Sequence, residues 1–81
     1  MSPLRILIVD DEVELVTALK ERLTLRGFQA EGVTTGTEAL EFLENNPCDV
    51  VLLDVKMPGL GGLEVIEQIK THWITLELSL I

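Results

Sequence analysis

The sequence predicts an α/β domain in which a parallel sheet is joined by crossover helices. Three observations carry that prediction. Two aliphatic runs, 4–9 and 50–53, each end in acid; stretches of helical periodicity separate the short runs; and the patterns alternate as strand, helix, strand, helix, strand, helix, strand. Right-handed crossovers then allow few topologies. The chain is organised around residues 49–62, DVVLLDVKMPGLGG, where Val50 to Leu53, with Val55 beyond the acid, read as a central strand buried on both faces. Asp54 ends that strand, at the sheet edge where open α/β folds bind their ligands.

Leu4 to Val9 is aliphatic except for Arg5 and ends in Asp10-Asp11-Glu12, so it reads as a second buried strand. Leu15, Val16, Leu19 and Leu23 then form one stripe of an amphipathic helix over about residues 12 to 26. Asp11 and Glu14 have capping-box spacing, and Gly27 is placed to stop the helix in a left-handed turn. From Phe28 to Val33, small or apolar residues alternate with Gln29 and Glu31, as in a half-exposed strand near a sheet edge. Thr35 and Glu38 repeat the capping-box spacing. A second helix then carries Ala39, Leu40, Phe42 and Leu43 until Asn45, Asn46 and Pro47 end it. Leu63, Ile66 and Ile69, with Val65 alongside, mark a third helix to about Thr71, with Trp73 packed under its end. Leu76, Leu78 and Leu80 alternate with Thr75, Glu77 and Ser79 in a last strand with one wet face.

The chain is one small domain, near the size at which burial only just offsets chain entropy. It is 47% hydrophobic but 4% aromatic, so its core is Leu, Val and Ile. A net charge of -8, with six Lys and Arg in all, argues against a direct nucleic-acid surface. Cys48 is the single cysteine, expected as a small buried thiol beside the central strand. No apolar stretch approaches the roughly 18 residues of a membrane span, and the expectation is a soluble cytoplasmic protein.

Residues at the carboxyl ends of neighbouring parallel strands meet at one edge, so Asp10 and Asp11 should meet Asp54. Each acid alone is ordinary, since Asp often caps helices. Together they repel unless a cation is present, and Mg2+ takes one or two carboxylates, waters and phosphate oxygens. Pro58 with Gly59, Gly61 and Gly62 lets the following backbone pass close to the pocket, where the Lys56 carbonyl is a further candidate oxygen ligand.

DDE at 10–12, LLDVKMPGLGG at 52–62 and the βα spacing between them resemble the receiver domain of two-component response regulators. The resemblance covers essentially the whole chain. It implies a doubly wound, flavodoxin-like sheet of order 2-1-3-4-5, of which residues 1–81 form a single partial receiver domain with four strands, three helices and order 2-1-3-4. It implies that Asp54 is the phosphoacceptor for a sensor histidine kinase or phosphotransfer protein. Asp10 and Asp11, Asp11 most directly, would hold Mg2+ with Asp54 and the Lys56 carbonyl. Such a module is not an enzyme.

A complete receiver continues through a further helix, strand and helix, carrying a Ser or Thr and a Lys of the phosphoryl site. Neither is assignable here, because Ser79 comes too early and on the polar side; impaired switching is the corresponding expectation. The alternating last strand leads to a further expectation, a homodimer through that strand or by element exchange, and to an alternative reading as a non-catalytic assembly fragment. Two enzyme-like or cofactor readings fit less well. Aspartyl-phosphate hydrolases carry D-x-D at a strand end, where position 56 here is Lys, and the acidic first loop would repel a flavin phosphate.

Overall fold

The structure, a computed structural model, describes residues 3–54, 62–72 and 77–80. The elements are β1 (Arg5–Val9), α1 (Val13–Leu25), β2 (Gln29–Val33), α2 (Gly36–Asn45), β3 (Val50–Leu53), α3 (Gly62–His72) and β4 (Glu77–Leu80). The four strands form one parallel sheet in the order β2-β1-β3-β4, the expected order. Expectations placed on Val55, Lys56, Pro58, Gly59, Gly61, Trp73, Thr75 and Leu76 lie outside the described residues, as do those on the side chains of Leu63, Val65, Leu78, Ser79 and Leu80.

Strand alternation divides the core in two. Leu7, Val9, Val51 and Leu53 point to one face, where Ala39 and Leu43 of α2 and Ile69 of α3 cover them. Ile6 and Ile8 point to the other, beneath Val16 of α1, with Leu19, Leu23 and Phe28 around them. Central β3 is therefore less symmetric than its sequence suggested. Val51 and Leu53 are fully buried, but Val50 and Leu52 are half-buried because α1 packs over β2 and β1.

The helix ends follow local chemistry, with one correction. The α1 terminus is closed as expected: Gly27 has φ 93°, its N–H donates to the Thr24 carbonyl, and the Phe28 N–H donates to the Leu23 carbonyl. Thr35 caps α2 through its hydroxyl, which accepts from the Glu38 N–H at 3.1 Å. The Asp11–Glu14 capping box does not form. Glu12 occupies the N-cap position without a side-chain cap, while Asp11 turns to a different use described below. Cys48 is half-buried rather than buried. Its thiol donates to the Val50 carbonyl at 3.2 Å, and burial pushes its pKa up.

Candidate functional site

Strand order decides where the acids go. From β1 the chain steps outward to β2, then returns past β1 to β3 and continues to β4, so the order reverses between β1 and β3. The helices that follow these two strands, α1 and α3, pack on opposite faces of the sheet, the arrangement in which open α/β folds bind ligands at the carboxyl ends of the strands. Asp10 and Asp54 follow β1 and β3 directly, and both are fixed by main chain. The Asp10 N–H donates to the Val33 carbonyl at 3.2 Å, extending the β1–β2 ladder; the Asp54 N–H donates to the Val9 carbonyl at 2.9 Å, extending the β1–β3 ladder.

Three expected acids are brought together here. Asp10, Asp11 and Asp54 each offer a carboxylate oxygen within 4.8 Å of the others. Asp10 is buried at 4% exposure, Asp54 is half-buried and Asp11 is exposed, so the group grades from the sheet interior to solvent. The fourth expected ligand, the Lys56 carbonyl, lies outside the described residues. Asp10 is further oriented by the Glu12 N–H, which donates to its Oδ1 at 2.9 Å. Sequence reasoning missed this contact. Its signal was the i to i+2 spacing at which Asp folds back on its own backbone, which competed with the capping reading of the same acids.

At such separations two ionised carboxylates repel by about 3 kcal/mol at an effective dielectric near 20, and by less at the wet rim. The ion pairs Arg5–Asp49 and Lys20–Glu31 lie elsewhere, the first at the amino end of the sheet and the second along α1 and β2. All three donors are hard oxygens, and among the described residues this is the one cluster of three or more potential metal ligands. That donor set fits a hard divalent cation such as Mg2+, with its other positions left to water and ligand oxygens.

The family model described as the response regulator receiver domain matches residues 6–81. Response regulator MprA of Mycobacterium sp. (strain KMS) is 44% identical over 69 residues, which are 85% of this chain and 30% of that protein. The chain thus spans about 30% of the length of the curated relatives it matches. Among solved structures, the response regulator TrrA of Thermotoga maritima, crystallised in complex with Mg(2+)-BeF, superposes with a TM-score of 0.86 at 37% identity over 93% of this chain and 65% of that one. TrrA in complex with the histidine kinase ThkA gives a TM-score of 0.88 at 38% identity, covering 95% of this chain and 66% of that one. Among the described residues no helix is long and apolar enough to cross a membrane.

Proposed function

The chain belongs to the response regulator receiver domain family of two-component signalling, and from that premise we propose that residues 1–81 are the phosphoacceptor part of a receiver, with Asp54 as the acceptor. The observation that carries this reading is the convergence of Asp10, Asp11 and Asp54 at the switch point of the sheet. A carboxylate nucleophile must be ionised, reachable and held in line with the leaving group. Two features support Asp54 in that role: it is half-buried rather than enclosed, and its backbone is pinned to Val9 beside the other two acids.

The donor is proposed to be the phosphohistidine of a kinase or phosphotransfer protein, in line with the kinase-bound state of the neighbour TrrA. An Asp54 carboxylate oxygen forms the new P–O bond as the P–N bond breaks, and the imidazole leaves with the electron pair and takes a proton from solvent. Asp10 and Asp11, with Asp54 and the Lys56 carbonyl, are the proposed Mg2+ ligands. Buried Asp10 acts chiefly by filling the inner side of the site, and exposed Asp11 closes its rim. When bound, Mg2+ would shield the acids from the incoming phosphoryl oxygens. The protein is a stoichiometric acceptor in this reading, not a turnover enzyme.

Incubation with acetyl phosphate and Mg2+, followed by intact-mass measurement, tests the assignment. One added phosphoryl group on the wild type and none on Asp54→Asn is expected. An unmodified wild type, or equal modification of Asp54→Asn, removes it.

A further inference from the structure

Asp10 belongs to two structures at once. It follows β1 in the sheet, and its side chain also reaches the start of α1, where Oδ1 accepts from the Glu12 N–H at 2.9 Å and closes a turn that spans Asp11. Glu12 is the N-cap residue of α1, extended at φ -86° and ψ 101°, and its carbonyl accepts from the Val16 N–H at 3.0 Å. The helix therefore starts at Val13, one residue later than a cap at Asp11 would start it. A side chain caps from the N-cap position itself, by accepting from the N–H two or three residues on. Asp11 sits one residue too early for that, and its carboxylate lies instead with those of Asp10 and Asp54. The turn is anchored in the sheet rather than in the helix, because Asp10 is 4% exposed and its own N–H donates to the Val33 carbonyl.

We infer that Asp10 is a positioning residue for Asp11: by taking the Glu12 N–H it holds Glu12 outside the helix, denies Asp11 the cap position and leaves the Asp11 carboxylate to the cation site. The inference rests on the reading of Asp10, Asp11 and Asp54 as a Mg2+ site, and it gives Asp10 a task there beyond its charge. Without that hydrogen bond Asp11 has the alternative its own sequence offers. At capping-box spacing from Glu14, it would accept from the first-turn amides at 13 and 14. A carboxylate folded onto those amides is withdrawn from Asp54, so the two uses of Asp11 compete and the Asp10 turn settles the competition.

Asp10→Ser and Asp10→Ala, compared by calorimetric titration with Mg2+, test this. Both lose the Asp10 charge and its reach, and they differ by one hydroxyl, which can accept from the N–H two residues on. Asp10→Ser is expected to bind Mg2+ more tightly than Asp10→Ala by about threefold or more, the worth of one modest hydrogen bond, with both weaker than the wild type. A second comparison needs no cation. Asp11→Ala is expected to lower the melting temperature of Asp10→Ala, where Asp11 has become the cap, and not that of Asp10→Ser, which carries the same charges. Measurable but equal Mg2+ affinities, or an equal effect of Asp11→Ala in both backgrounds, overturns the inference. A wild type that binds no Mg2+ removes the site reading instead; the melting comparison then decides the positioning role, as it does where both variants bind too weakly to measure. If Asp10→Ala does not fold, Glu12→Pro replaces it, with Glu12→Ala as its control. Proline deletes the amide, leaves all three acids and suits the first helical position after a cap at Asp11. Asp11→Ala is then expected to lower the melting temperature of Glu12→Pro and not of Glu12→Ala, and equal effects overturn the inference.

Discussion

A γ-methyl of Val16 on α1 occupies the space that any β-carbon on Gly32 of β2 would need. The glycine is there for contact distance, since its backbone is ordinary for a strand and the obstruction is a β-branched side chain with a stiff rotamer. Gly32→Ala is expected to lower stability by about 1–3 kcal/mol as an overpacking change, read from the urea midpoint at unchanged slope. Val16→Ala in the same chain should recover part of that loss. Additive losses from the two substitutions would contradict the contact.

At the other end of the sheet, Arg5 and Asp49 tie β1 to the start of β3. The Asp49 carboxylate accepts from the Arg5 N–H at 2.8 Å, its Nε at 3.1 Å and its Nη2 at 3.2 Å. These hydrogen bonds from Arg5 hold the Asp49 carboxyl below the usual carboxylate range. A depressed carboxylate contributes stability that is fully present above its unfolded pKa and disappears as pH falls through its folded value. Asp49→Asn should therefore be less stable than wild type at neutral pH, with the difference narrowing in acid below the ordinary carboxylate range. A gap that is constant with pH would show that ionisation of Asp49 does not matter.

The start of α2 holds a denser arrangement than a simple cap. Glu38 Oε1 accepts from the Thr34 N–H and hydroxyl and from the Thr35 hydroxyl, while Thr35 accepts from the Glu38 N–H. Thr35→Ala should cost about 1 kcal/mol, measured by thermal unfolding. The Thr34 bonds hold the Glu38 carboxyl below its ordinary range, so its contribution also fades only on acidification. Glu38→Gln should accordingly show a flatter acid limb than wild type.

Exposed Asp11 adds like charge to a buried neighbour. Without divalent cation, Asp11→Asn is expected to be more stable than wild type by about 1 kcal/mol or less, a gain that shrinks as salt is added. With Mg2+ the order should reverse, because binding to the folded state stabilises by mass action only where the site is intact. A variant whose melting temperature rises with Mg2+ as much as the wild type would remove Asp11 from the ligand set.

Much of this was legible in the chain because the determinants are local. The alternation of aliphatic runs with 3.6-residue stripes marks the elements, and Thr35–Glu38 and Gly27 mark two helix ends. The acids were legible because they end strands: once β1 and β3 are neighbours, register alone sets Asp10 beside Asp54. Of the two readings the sequence allowed for Asp11, its place beside Asp54 is the one the structure bears out and the helix cap is the one it overturns, because an acid before a helix suits either use and only the position of Asp54, dozens of residues away in sequence, separates them. Val16 against Gly32, Arg5 with Asp49 and the Lys20–Glu31 ion pair were not legible, since each depends on how α1 lies over the sheet or on a strand pairing between distant residues. Partial exposure of Val50 and Leu52 has the same origin. An apolar run reports a preference for burial, while the amount is set by where the covering helix falls.

Calorimetric titration of the purified protein with Mg2+, beside Asp11→Asn and Asp54→Asn, bears most directly on the shared acid site. Saturable single-site binding by the wild type, weakened by either substitution, is the expected result. No heat across the titration in the wild type, or unchanged binding in both variants, would contradict a common cation site at the ends of β1 and β3.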